Sequence, residues 1–277
     1  MDKIIKKQHN YSFSSFQPNL PPLVIPAEPK REQESVLLDT TNILMIKTLK
    51  TCTILLFIML MSCAEKEDSI TIAVASNFES TLKTIIAGYK NTHPDENIQI
   101  ISASSGILSN QILNNAPFDL FLSADTQKPE LIFNTLQLNR KPTIYAVGQL
   151  ILWIPLSSGN QCLQKLSTLK TLALANPKIA PYGKVAEKIL NDNSIKVDKI
   201  IQTSNAAQAY IYTKDKLTEA GFVPYSFVKN ETVGCMQLFN TEELSQSMLL
   251  LNDSALNIYE YIASKNTQET IKSAGYK

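Results

Sequence analysis

The sequence predicts an α/β protein whose sheets are mostly parallel and flanked by helices. Three observations point there. Short apolar runs alternate with segments of helical period from residue 69 to the end. Hydrophobic residues make up 44% of the chain, enough for a buried core. The turns after the strands are short and built of small polar residues, as at Ser76-Asn77 and Ser104-Ser105-Gly106.

The elements follow in order. Ile70 to Ala75 is a short apolar strand, and Phe78, Leu82, Ile85, Ile86 and Tyr89 repeat at helical spacing after it. His93-Pro94 ends that helix. Ile98 to Ala103 is the second strand and Ser105 to Asn114 the second helix. Asp119 to Ala124 is the third strand, and a helix from Pro129 to Leu136 carries proline in its first turn. The extended run from Thr143 to Ile154 is longer than a usual strand and is interrupted by Gly148. Strands at 172–175, 200–203 and 221–223 then alternate with helices at 183–190 and 206–213. Two helices, 255–264 and 267–273, close the chain. Residues 228–245 are assigned no element, and their details stay open.

The segment MIKTLKTCTILLFIMLMSC, residues 45–63, stands apart. Lys47 and Lys50 precede an apolar stretch from Thr53 to Met61, the layout of a secretory signal. The stretch is short for a membrane span. Leu60-Met61-Ser62-Cys63 resembles a bacterial lipoprotein box, which implies cleavage before Cys63 and acylation of its sulfur. An ordinary signal peptide with an incidental cysteine is the plainer reading. The charged stretch Glu65-Lys66-Glu67-Asp68 suits a tether across residues 63–68. Residues 1–44 are proline-bearing and aperiodic, and they precede a signal that normally starts a protein. We expect translation to begin at Met45 and residues 1–44 to be a non-native or disordered extension.

A formal net charge of +1 gives no basis for a nucleic-acid partner. An exported chain can pair Cys162 with Cys235, but their spacing does not demand it, and the pairing stays open. These cysteines and His93 do not compose a metal site, so no cation site is expected.

The strand-to-helix turns carry the functional signal. Ala75-Ser76-Asn77, Ser104-Ser105-Gly106, Pro181-Tyr182-Gly183 and Ser204-Asn205-Ala206 each open a helix. A helix start offers backbone N–H groups and a partial positive charge. Several converging starts bind an anion without lysine or arginine. Ser76, Ser105 and Tyr182 add hydroxyl donors, and no turn contains a carboxylate. Taken singly, each turn has a structural explanation. Ser76 with Glu79 fits a capping box, Ser105 fits an N-cap, Ser204-Asn205 fits another cap, and Tyr182 fits an aromatic packed between layers.

Longer motifs carry a family resemblance. Val74-Ala75-Ser76-Asn77-Phe78, Ser104-Ser105-Gly106, Ala116-Pro117-Phe118-Asp119-Leu120-Phe121-Leu122-Ser123-Ala124-Asp125, Ala175-Asn176-Pro177 through Tyr182-Gly183, and Gly221-Phe222-Val223 resemble the substrate-binding proteins of molybdate ABC importers. The resemblance runs from about residue 70 to Ala274-Gly275-Tyr276. It implies a two-lobed periplasmic-binding-protein (venus-flytrap) fold. Lobe one would be residues 69–146 with 227–277, and lobe two residues 147–226. The run 143–154 would then cross between lobes. The resemblance also implies that Ser76, Asn77, Ser105, Tyr182 and the backbone of Ala206 contact molybdate or tungstate. Some family members place a tyrosine where Pro224 stands here, so Tyr225 receives no binding role.

The implied partners are the membrane permease and ATPase of the importer, with a lipid-anchored, extracytoplasmic location. We expect a monomer without a cofactor. The alternatives are a protein for another tetrahedral oxyanion such as sulfate, or a surface lipoprotein outside transport. A hydrolase is disfavoured: His93 is the single histidine after the signal segment, is expected at the surface, and no Gly-x-Ser-x-Gly elbow occurs.

Overall fold

The computed structural model describes Met45 and residues 69–277 apart from positions 160, 240 and 241. The expected extension 1–44, the signal segment 45–62, the acylated Cys63 and the tether 63–68 lie outside the described residues, Met45 aside.

The chain first forms β1 (Ser69–Ala75), β2 (Asn97–Ala103), β3 (Leu120–Leu122) and β4 (Thr143–Val147). Helices α1 (Glu79–Tyr89), α2 (Ser105–Leu113) and α3 (Gln127–Leu136) connect them. The chain then passes through Gly148 and Gln149 into a second sheet. That sheet contains β5 (Leu150–Ile154), β6 (Thr171–Ala175), β7 (Lys199–Thr203), β8 (Ala220–Pro224) and β9 (Cys235–Phe239). Helices α4 (Cys162–Lys165), α5 (Pro181–Asp192), α6 (Ala206–Lys214) and α7 (Tyr225–Val228) accompany it. The chain returns to the first sheet as β10 (Ser245–Leu250) and ends in α8 (Leu256–Ala263) and α9 (Lys265–Ser273).

Both sheets are five-stranded, with orders β2-β1-β3-β10-β4 and β7-β6-β8-β5-β9. The two lobes repeat one plan. Three parallel strands come first, a reversed strand follows, and an edge strand closes the sheet. In each lobe the reversed strand arrives from the other lobe: β5 follows β4, and β10 follows β9. The fold is thus the expected two-lobed α/β architecture, with one antiparallel strand in each otherwise parallel sheet.

Period-2 alternation sorts β1 onto two faces. Ile70, Ile72 and Val74 pack with Phe78, Leu82 and Tyr89 of the first helical layer. Ala73 faces Leu108, Phe121 and Ile132 on the opposite side. β5 is buried along its whole length, with Leu150, Leu152 and Ile154 on one face and Ile151 and Trp153 on the other. A strand covered on both faces reads as an unbroken apolar run, which is why LILWI shows no alternation.

The lobe boundary expected at 226/227 is corrected. β9 pairs antiparallel with β5, Ile154 opposite Cys235 and Leu150 opposite Phe239, so lobe two extends through Phe239. Cys235 is also disulfide-bonded to Cys162, with a Cα–Cα distance of 5.6 Å. The bridge ties α4 to β9 within lobe two. The run 143–154 is two strands in different sheets, β4 and β5, rather than one long strand.

Candidate functional site

β1, β2, β6 and β7 all end at the interface between the lobes, where their following turns meet. Ser76, Asn77, Ser105, Tyr182 and Ala206 line one cavity of about 10 Å³ there. All five are buried, at 6%, 2%, 1%, 2% and 5% exposure respectively. Ser104 and Ala124 line it too, and no lining residue is charged.

The structural explanations of the turns separate here. The capping box does not form: the N-cap of α1 is Phe78, and Glu79 pairs with Lys83 at 2.5 Å instead. The Ser76 hydroxyl oxygen accepts from the Ala207 N–H of the other lobe at 3.4 Å. Ser105 is not the cap of α2. That position belongs to Ser104, whose side chain makes no capping bond. The Ser105 oxygen accepts from Ala124 N–H at 2.9 Å, which leaves the Ser105 hydroxyl proton to donate elsewhere. Asn205 is a true N-cap and accepts from Gln208 N–H at 2.9 Å. Pro181 opens α5 with the φ a first helical turn requires and needs no N–H there.

Ser104 is 3% exposed, and its hydroxyl has no hydrogen-bond partner. A buried polar atom without a partner is uncommon and costly. This one lies on the cavity wall.

Gly106 shows why the turn after β2 carries a glycine. Its N–H donates to the carbonyl of Ile179 in the other lobe at 2.9 Å. A Cβ on Gly106 would stand 2.8 Å from that oxygen and 3.0 Å from the Ile179 Cα. Only a residue without a side chain lets the lobes meet there.

Behind the cavity lies a buried polar network. Gln246 on β10 is fully buried. Its Oε1 accepts from Asn77 Nδ2 at 3.0 Å and from the Tyr145 hydroxyl at 2.9 Å. Its Nε2 donates to the Tyr182 hydroxyl at 3.3 Å. The Tyr276 hydroxyl donates to the Asn77 carbonyl at 2.5 Å. Burial, then the neighbouring Tyr276, holds the Tyr182 phenol well above its ordinary range, and burial pushes Tyr276 up to about 12. Both phenols therefore stay protonated and able to donate.

The sequence signals did not single out Ala124, Ser104 or Gln246. Ala124 lies at the end of the quoted Ala-Pro-Phe-Asp motif, and Ser104 sits inside the quoted triplet. Gln246 had no signal, because its partners Asn77, Tyr145 and Tyr182 lie far from it along the chain. Tyr225 begins α7, and its N–H donates to the Gln149 carbonyl at 2.9 Å; it does not line the cavity. His93 is partly exposed just after α1, with its ring stacked 4.1 Å from that of Tyr89. It does not line the cavity.

The arrangement gathers hydroxyls and helix starts from two lobes around a small volume with no charged side chain. It has the chemistry to surround a small anion with hydrogen-bond donors. Residues 70–277 match the family described as bacterial extracellular solute-binding protein. The molybdate-binding protein ModA of Azotobacter vinelandii is 30% identical over 237 residues, covering 78% of this chain and 93% of that protein. ModA of Rhodobacter capsulatus is 28% identical over 220 residues, covering 74% and 86%. The solved structure of the Azotobacter vinelandii periplasmic molybdate-binding protein superposes with a TM-score of 0.67 at 25% identity, covering 76% of this chain and 99% of that one.

Proposed function

This chain belongs to the bacterial extracellular solute-binding proteins, and we propose that within that family it captures molybdate or tungstate between its lobes and delivers it to an ABC permease. One observation carries the reading: the five residues expected to hold the anion come from both lobes and line one buried, uncharged cavity. Ser76, Ser105 and Tyr182 would donate through hydroxyls, Asn77 through its backbone N–H, and Ala206 through its backbone N–H at the start of α6. The cavity is small, so the lobes must part to admit the ion and close around it. Binding then drives closure, because only the closed form offers donors from both lobes at once.

Proton count supports molybdate over phosphate. Molybdate near neutral pH is a bare dianion that only accepts hydrogen bonds. Phosphate still carries a proton, and its O–H needs an acceptor. No carboxylate lines the cavity to accept it strongly, and an unpaired buried O–H costs about 1–3 kcal/mol.

The remainder of the proposal is a lipid anchor at Cys63, held outside the cytoplasm. The Cys162–Cys235 disulfide supports an oxidising compartment. Mass spectrometry of the membrane-bound protein should find acylated Cys63 as its first residue, and an intact Ser62–Cys63 peptide bond there would remove the anchor from the proposal.

Thermal melts with molybdate, tungstate, sulfate and phosphate test the ligand. At a hundredfold excess over the dissociation constant, binding adds about 2.7 kcal/mol, which raises the melting temperature by roughly 4–9 °C. Molybdate and tungstate should produce that shift and phosphate should not. A shift with sulfate alone reassigns the ligand, and no shift with any oxyanion overturns the reading.

A further inference from the structure

Gln246 joins the two lobes through one side-chain amide. It sits where the pairing of β10 with β4 slips, between Gln246 and Ser247. A register irregularity of this kind re-aims side chains. The Oε1 side takes Asn77 and Tyr145 from lobe one, while the Nε2 side reaches Tyr182 in lobe two. Gly148, at the crossing between the lobes, leaves room for this meeting. A Cβ there would collide with both the Tyr182 hydroxyl and Gln246 Nε2.

The direction of these bonds has a consequence for Tyr182. A phenol has one proton to give and an oxygen that accepts. Gln246 donates to that oxygen, so the Tyr182 proton is left for the cavity. An acceptor at position 246 would reverse this. The Tyr182 proton would turn toward residue 246, and its oxygen would face the cavity as an acceptor.

We propose that Gln246 is the positioning residue that makes Tyr182 a hydrogen-bond donor to the bound anion, and so favours fully deprotonated tetrahedral oxyanions. The inference rests on the oxyanion reading above. Gln246 touches no ligand itself. It acts through Tyr182 and steadies Asn77 with the same amide, so one side chain sets donors on both walls of the cavity.

The test uses the whole chain and titration calorimetry with molybdate. Gln246→Met keeps the length of the side chain and removes the donor. It should weaken binding about tenfold in the wild-type background and less than about threefold in the Tyr182→Phe background. Gln246→Glu should bind poorly at about pH 8.5 and recover as the pH falls toward about 6.5, because a buried carboxyl takes up a proton in that range and can donate again. The wild type should be flat across the same interval. Melting curves without anion establish that each variant folds, and the near-isosteric Gln246→Glu keeps the test alive if the methionine variant does not. An equal loss from Gln246→Met with and without the Tyr182 hydroxyl overturns the inference, as does a pH-independent Gln246→Glu. Wild-type protein that binds no oxyanion overturns instead the functional reading on which the inference stands.

Discussion

The N–H of Gly106 in lobe one donates to the carbonyl of Ile179 in lobe two at 2.9 Å. This bond is made by backbone on both sides, beside the cavity, and ties one lobe to the other. A Cβ at position 106 meets backbone atoms that cannot rotate away. Gly106→Ala should therefore hold the lobes apart and weaken molybdate binding by tenfold or more, roughly 1.4 kcal/mol. Small-angle scattering should show the wild type contracting with molybdate and the variant contracting less. Equal contraction in both would mean that the turn yields easily and that Gly106 does not gate closure.

Ser105 and Ser104 should behave differently. The Ser105 oxygen accepts from Ala124 N–H, so Ser105→Ala removes a partner from a buried donor and should lower the stability of the free protein. Ser104→Ala deletes a hydroxyl that has no partner and should leave that stability unchanged or raise it. With ligand, the loss of the Ser105 donor should cost roughly 1.5–3 kcal/mol, more than the loss of Ser104. Melts and calorimetry on the two variants decide it. A larger affinity loss at Ser104 would show that its unpaired hydroxyl is the one that meets the anion.

The disulfide spans a sequence separation of 73. Closing a loop of that size restricts the unfolded chain by about 4 kcal/mol in the chain-entropy treatment. Replacing both cysteines by alanine should lower the melting temperature by roughly 5–15 °C. Neither cysteine lines the cavity, so molybdate affinity should change little. A large affinity loss with an unchanged melting temperature would reverse the assignment of the bridge to stability.

Alkali should destabilise the fold through its buried phenols. Burial raises Tyr145 and Tyr182 well above the ordinary value of 10.0 and Tyr276 to about 12. Below pH 10 both folded and unfolded chains keep these protons, and the contribution is fully present. Above it the unfolded chain releases them while the folded chain retains them, so stability falls as pH rises toward about 12. The slope is up to about 1.4 kcal/mol per pH unit for each such tyrosine. Urea unfolding at rising pH measures it, and Tyr276→Phe should flatten the slope. A slope unchanged in that variant would assign the alkaline loss to other groups.

Much of this protein was legible in the sequence. Local periodicity placed most strands and helices of both lobes, because each buries a face whose repeat is written in consecutive residues. The turns at Ser76, Ser105, Tyr182 and Ala206 were legible as helix starts with small donors, since capping chemistry is local. Their convergence depended on chain topology. Two further decisions also belonged to the tertiary structure. Strand β9 joins lobe two through pairing with β5 and the Cys162–Cys235 bridge, and its short segment carries no period that names its partner. Gln246 reaches Asn77 across 169 positions of sequence and Tyr182 across 64, and these contacts exist only once β10 lies between β3 and β4. Local sequence determines elements through the neighbours each residue already has along the chain. The closed cavity, the unpaired Ser104 hydroxyl and the direction of the Tyr182 proton are decided by neighbours that only packing supplies.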